Sequence, residues 1–72
     1  MLDRIKGILA DYTEFPIEKM TAETEFVVDM DLSSLDVINI IMEFEEEFGV
    51  SIPDDKIGKL TNIGDVLNYL EG

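Results

Sequence analysis

The chain contains 72 residues, has no cysteine or histidine, and carries a formal net charge of −12 at pH 7. A disulfide, a thiolate metal site and a histidine-activated nucleophile are therefore excluded. The acidic excess argues against nucleic acid and anionic lipid as partners, and it favours association with basic protein surfaces.

Hydrophobic residues make up 46% of the chain, which is enough to build a core, and the length predicts one domain that spans residues 1–72. Each apolar run is only a few residues long, whereas a membrane-spanning helix needs about 20. The N-terminus also lacks the apolar core of a signal peptide. We therefore expect a cytoplasmic monomer with no membrane partner.

The first predicted element is a helix over residues 2–12, where apolar side chains recur at helical spacing. Phe15-Pro16 ends any continuation, because the residue before a proline is pushed out of the helical region. A connection over residues 17–33 follows, and a loop of this length in a small domain is often functional. A strand over residues 25–28 is the alternative for part of it, although no second strand is evident as its partner. The apolar residues expected to anchor the connection to the core are Ile17, Met20, Phe26, Val27, Val28 and Met30.

The second predicted helix, from Ser34 to Phe48, is the central element of the chain and has three faces. The core-facing stripe consists of Val37, Ile40, Ile41, Phe44 and Phe48. The solvated stripe consists of Asp36, Asn39, Glu43, Glu46 and Glu47. A third strip, which borders the acids and is expected to lie outside the deep core, consists of Leu35, Ile38 and Met42, with Glu45 at its edge.

Two adjacent serines mark the start of this helix, and either Ser33 or Ser34 is a suitable N-cap. With Ser33 as the cap, Asp36 completes a Ser-x-x-Asp capping box. One serine can then cap the helix while the other remains available to react. Gly49 supplies the C-terminal stop.

The remaining sequence predicts one short helical turn over residues 54–59 and a last helix capped by Thr61. The apolar repeat of that helix is Ile63, Val66, Leu67 and Leu70. The fold class is therefore all-α: a small four-helix bundle of three longer helices and one short helix, with a long loop between helices 1 and 2.

The acidic residues do not form a convincing metal or catalytic site. A calcium loop that started at Asp29 would need glycine and glutamate where the sequence has Ser34 and Ile40. Paired carboxylates can perform acid–base chemistry, but these lie on a helix surface without a predicted pocket. We therefore assign no catalytic residue and no metal ligand, and we expect a protein that is not an enzyme.

The acidic stripe is either an ordinary solvated face or a docking surface. No lysine or arginine occurs from Met20 to Asp55, a span that contains eleven acids. Because ordinary surfaces mix the two signs, this bias favours docking of basic partners.

Three segments of the chain carry a family resemblance: Asp29-Met-Asp-Leu-Ser-Ser-Leu-Asp36, the Glu-Glu-Phe and Ile-Pro-Asp pair within residues 37–55, and Thr61-Asn-Ile-Gly-Asp with its late tyrosine. Together they resemble the acyl carrier protein family. The resemblance extends over essentially the whole chain. It implies a four-helix carrier in which a phosphopantetheinyl transferase moves 4′-phosphopantetheine from coenzyme A onto Ser34. The thiol of that arm would hold acyl groups as thioesters for separate fatty-acid, lipid or polyketide-type enzymes.

By the same resemblance, partner enzymes with basic docking patches would contact the second helix. The residues implied in this contact are Leu35, Asp36, Ile38, Met42, Glu45 and Glu46.

Two positions depart from the family pattern: Ser33 and Asn39 stand where acidic residues are usual. These departures indicate a specialised carrier, and Ser33 makes a second serine available for modification. The register with Leu35 and Asp36 favours Ser34. Two alternatives to an acyl carrier are an aminoacyl or peptidyl carrier domain and an unmodified acidic interaction module.

Overall fold

The structure, a computed structural model, describes residues 2–71 and consists of helices joined by ordered connections. The helices are α1 (Leu2–Ala10), α2 (Ser34–Phe48), α3 (Asp54–Ile57) and α4 (Ile63–Glu71), and a 3₁₀ turn spans Ile17–Lys19. Residues 2–71 contain no β-strand. The prediction of an all-α fold with three longer helices and one short helix is confirmed.

Buried apolar side chains from α1, α2, α4 and the connections form the core. They are Ile5, Leu9, Met20, Phe26, Met30, Leu32, Ile40, Ile41, Phe44, Ile52, Leu60, Ile63 and Val66. Val37 and Phe48, predicted on the core-facing stripe, are half-buried and pack against this cluster. Arg4 of α1 forms an ion pair with Glu47 and lies 5.0 Å over the ring of Phe48, which ties α1 to the end of α2.

The long connection contains a helical turn rather than a strand. The N–H groups of Asp29 and Met30 donate to the Glu25 carbonyl oxygen at 3.1 and 3.2 Å. Because side chains rotate around such a turn, Phe26 and Met30 face the core together. The predicted connection is therefore present, and the alternative of a strand over residues 25–28 is wrong. Residue 25 forms only an isolated antiparallel bridge with residue 62.

Three of the six apolar anchors were predicted correctly. Met20, Phe26 and Met30 are buried. The prediction was wrong for Ile17, Val27 and Val28, which are exposed.

Two predicted helix ends are shifted by hydrogen bonding near the termini. α1 ends at Ala10 because the next N–H groups donate three residues back, as in the bond from Tyr12 to Leu9. The assignment of Thr61 as the cap of α4 is wrong, since its hydroxyl donates to the Asp65 carboxylate. Asn62 is the cap instead, and its Oδ1 accepts from the Asp65 N–H at 2.7 Å.

Candidate functional site

The start of α2 separates the roles of its two serines. Ser33 adopts an extended backbone conformation, and its Oγ accepts a hydrogen bond from the Asp36 N–H at 3.1 Å. The Asp36 carboxylate accepts from the Ser33 N–H at 3.2 Å, which completes the predicted capping box. Ser33 is therefore the N-cap, and its hydroxyl oxygen is engaged by the helix.

Ser34 is the first residue of α2, and its side chain is exposed. Within residues 2–71 its hydroxyl takes part in no hydrogen bond, in contrast to the neighbouring Ser33. The N–H groups in the first turn of a helix have no carbonyl partner within the helix, and they lie at the positive end of the helix dipole. The Ser34 hydroxyl is thus accessible beside a helix end that favours an attached anion.

An apolar groove of about 340 Å³ opens beside Ser34. The connection before α2, α2 itself and the α3 region all contribute to its wall. The lining residues are Glu25, Phe26, Val27, Ser34, Val37, Ile38, Ile57, Gly58, Leu60 and Thr61. Most of these side chains are apolar, so the groove provides a water-poor surface next to the hydroxyl.

The sequence did not predict this groove. Its wall combines residues from three parts of the chain, and no local pattern shows that Val27, Ile57 and Leu60 meet beside Ser34. The one available signal was the position of Ile38 on the strip that borders the acids of α2.

The third strip predicted on α2, here called the outer strip, lies on the surface. Leu35, Ile38 and Met42 have exposed fractions of 67%, 42% and 56%. These are large values for apolar side chains that lie on one side of a helix. Single exposed hydrophobic residues are common, whereas these three lie together on one side of α2.

The acidic residues predicted for docking differ in their surroundings. Glu46 is exposed, whereas Asp36 is half-buried within the capping box. Glu45 is also half-buried, and its Oε2 accepts a hydrogen bond from the Ile52 N–H at 2.7 Å. Glu45 therefore stabilises the connection after α2 in addition to adding negative charge near the outer strip.

Two ionisable groups outside this surface have shifted pKa values. Partial burial and the neighbouring Glu43 carboxylate raise the pKa of Tyr12. Hydrogen bonds from the Thr61 N–H, the Thr61 hydroxyl and the Asn62 N–H lower the pKa of Asp65. These shifts belong to the end of α1 and the start of α4, and Thr61, which donates to Asp65, also lines the groove beside Ser34.

Within residues 2–71, no group of three or more acidic side chains is arranged to hold a metal ion. No helix in this part of the chain combines the length and apolarity needed to cross a bilayer.

Residues 3–70 match the family model described as "Phosphopantetheine attachment site". Acyl carrier proteins of Helicobacter pylori strains G27 and HPAG1 are each 41% identical to the chain over 71 residues. The aligned region covers 99% of this chain and 91% of each relative. The chain belongs to the acyl carrier protein family.

Family membership confirms two predictions. Acyl carrier proteins bear a covalently attached 4′-phosphopantetheine group, and they are carriers rather than catalysts. The family also implies interaction with a phosphopantetheinyl transferase and with acyl-handling enzymes. The residues at the start of α2 fit this group: an exposed hydroxyl, unpaired helix N–H groups for a phosphate, and an apolar groove for the arm or its cargo.

Proposed function

We propose that Ser34 carries the 4′-phosphopantetheine arm and that the chain presents acyl thioesters to enzymes that dock on α2. The observation that carries the proposal is the different surroundings of the two serine hydroxyls. Ser33 Oγ is held by the Asp36 N–H, whereas Ser34 is exposed at the rim of the groove.

Attachment is a phosphoryl-type transfer in which Ser34 Oγ is the nucleophile. Its oxygen forms a bond to the phosphorus that bears the pantetheine arm in coenzyme A, and the bond from that phosphorus to the leaving adenosine 3′,5′-bisphosphate breaks. The hydroxyl proton passes to a base of the transferase, because within residues 2–71 the Ser34 hydroxyl is hydrogen-bonded to no base. The N–H groups of Ser34 and Leu35, which the capping box does not use, would favour the phosphodiester anion at the start of α2.

The attached arm supplies the thiol on which acyl groups are held as thioesters. The chain itself needs only to hold the attachment point and to be recognised. The groove beside Ser34 offers an apolar surface for the first part of the arm or of a short acyl chain. A longer chain would require α2 and α3 to separate, since residues from both line this space.

Partner enzymes are proposed to bind the outer strip of α2 and the acids around it. The exposed Leu35, Ile38 and Met42 supply apolar contact area. The neighbouring Asp36, Glu45 and Glu46 favour a partner surface with a basic patch. The absence of basic residues from position 20 to position 55 extends this acidic field over the whole docking region.

We further propose that residues 1–72 act as one monomeric acyl-carrier domain in the cytoplasm. The family match over residues 3–70 and the continuous buried cluster support one domain. A light-scattering mass near 8.1 kDa would agree with a monomer, and a doubled mass would contradict it.

The attachment site is tested by intact mass after incubation with coenzyme A, Mg²⁺ and a broad-specificity phosphopantetheinyl transferase. The unaltered chain should gain one phosphopantetheine, and Ser34→Ala should gain none. Ser33→Ala is the matched control, which should still be modified although loss of the cap lowers its free energy of unfolding by about 1 kcal/mol. If Ser34→Ala is modified, or if folded Ser33→Ala is not modified, Ser34 is not the attachment site.

The same measurement separates the alternatives. An unmodified interaction module would gain no mass with any transferase. An aminoacyl or peptidyl carrier would gain the arm and would then be charged by amino-acid-activating enzymes rather than by acyl-handling ones.

A further inference from the structure

Val27 is an apolar side chain that the fold holds at the surface beside Ser34. Its exposed fraction is 55%, and it lines the same groove as Ser34 and Ile38. It belongs to neither α2 nor its outer strip, because it lies in the turn that precedes the helix.

Backbone and carboxylate hydrogen bonds hold this turn, so its position does not depend on burial of Val27. The Asp29 N–H donates to the Glu25 carbonyl oxygen at 3.1 Å, and the Asp29 carboxylate accepts from the Glu25 N–H at 2.8 Å. The turn is also fixed to the core by Phe26, which is 1% exposed. An ordered turn therefore presents Val27 to whatever approaches Ser34.

Any enzyme that acts on the Ser34 hydroxyl must cover the surface around it. A stable protein interface buries about 800 Å² on each partner, and the accessible surface of the chain is 4449 Å² in total. Because Ser34 and Val27 line the same groove, we expect a contact of that size centred on Ser34 to include Val27.

The charges around Val27 indicate what kind of partner surface could bind there. Glu25 and Asp29 are exposed on either side of it in the turn. The matching surface is an apolar centre surrounded by basic side chains.

Among enzymes that recognise the chain, the transferase must bring Ser34 Oγ itself into its active site, whereas later enzymes receive the far end of the arm.

We propose that Val27 is a docking residue for the phosphopantetheinyl transferase, which contacts the turn before α2 as well as α2 itself. This inference rests on the proposed attachment at Ser34. It assigns recognition to two separate segments of the chain that meet across one groove.

The test compares kcat/KM for pantetheine transfer among the unaltered chain, Val27→Ala and Val27→Ile. Loss of the apolar contact in Val27→Ala should reduce kcat/KM by about three- to tenfold, mainly through KM, as expected for a contact residue outside the reacting atoms. Val27→Ile keeps the contact and should restore kcat/KM to within about twofold of the unaltered chain.

Val28→Ala is the matched control, because Val28 is the same residue type in the same turn and is 73% exposed but does not line the groove. Its kcat/KM should stay within about twofold of the unaltered value, as for most contacts at the rim of an interface. Circular dichroism should show the same melting temperature for both alanine variants, since both native side chains are largely exposed.

The possible failures are distinguishable. If the unaltered chain gains no arm, the proposed function is overturned and this inference with it. If the unaltered chain is modified and Val27→Ala matches it in kcat/KM, only the inference is overturned. Equal slowing by Val28→Ala, or an effect of Val27→Ala on thioester hydrolysis without an effect on transfer, would also overturn it.

Discussion

Asp31 is predicted to limit the stability of the segment that leads into α2. Its φ angle is +57°, in the left-handed region, which costs an ordinary L-residue about 1–2 kcal/mol. Its side chain is exposed, and within residues 2–71 it forms no hydrogen bond that offsets this cost. It also adds negative charge to a chain whose net charge is already −12.

Two neutral variants isolate the backbone contribution. Asp31→Gly and Asp31→Ala remove the same charge, so their difference reflects the left-handed conformation alone. Glycine avoids about 1–2 kcal/mol of steric cost, and its greater freedom in the unfolded chain returns roughly 0.5–1 kcal/mol. We therefore expect the glycine variant to be more stable than the alanine variant by about 1 kcal/mol, which corresponds to about 4–8 °C in melting temperature for a domain of this size.

The free energy of unfolding is measured by urea titration at constant salt, with thermal melting as the second observable. Asp31→Asn serves as the charge control, because asparagine tolerates the left-handed region while removing the negative charge. Gly49→Ala provides a second test of the backbone cost, since Gly49 has a φ of +65°. An alanine variant at position 31 as stable as the glycine variant would refute the reasoning.

Three further changes test contacts that hold the rest of the fold. Gly64→Ala should lower the free energy of unfolding by about 1–3 kcal/mol, because the added Cβ would lie 2.9 Å from a backbone oxygen of the long connection. Glu45→Ala should lower it by about 1–3 kcal/mol, because the N–H of the buried Ile52 loses its acceptor. Asp65→Asn should destabilise the chain at pH 7, and the loss should shrink as the pH falls below about 4. The pKa of Asp65 is lowered by hydrogen bonds, first that from the Thr61 N–H, so the carboxylate contributes stability above its unfolded pKa and loses it on protonation. Denaturant titrations, repeated across pH for the last variant, measure all three.

Each of these three substitutions has either a control variant or a result that would contradict the prediction. Gly7→Ala should raise stability by about 0.5–1 kcal/mol, because Gly7 lies in a helix with open space around its Cβ position. Glu45→Gln keeps an oxygen acceptor while removing charge, so it should retain more stability than Glu45→Ala. A loss in Asp65→Asn that grows on acidification would have the wrong sign.

The first and last residues of α2 were predictable because the residues that start and end the helix lie next to them in the sequence. Ser33 and Asp36 form the capping box within four residues, and Gly49 ends the helix with a left-handed conformation. The exposed position of Leu35 and Met42 follows from helical spacing alone. The prediction of an all-α fold succeeded for the same reason.

Two of the errors arose where more than one hydrogen-bonding pattern is open to the same few residues, and one arose where distant segments meet. Val27 and Val28 were expected to anchor the connection to the core, but hydrogen bonds to the Glu25 carbonyl oxygen close a helical turn that leaves both exposed. Thr61 is a good cap by residue type, yet the Asp65 carboxylate engages its hydroxyl and leaves the cap to Asn62. The groove beside Ser34 was missed because three segments must fold together before it exists.

The start of α2 is hydrogen-bonded to Ser33 and not to Ser34. This affects how an enzyme could distinguish a carrier that bears the arm from one that does not. The hydrogen bonds that start α2 do not involve the Ser34 oxygen, so a group attached to that oxygen would break none of them. If Ser34 carries the arm as proposed, the capping box is then the same in an empty and in an armed carrier. An enzyme that tells the two forms apart would have to detect the arm, or the part of the groove that the arm covers, rather than a change in the start of α2.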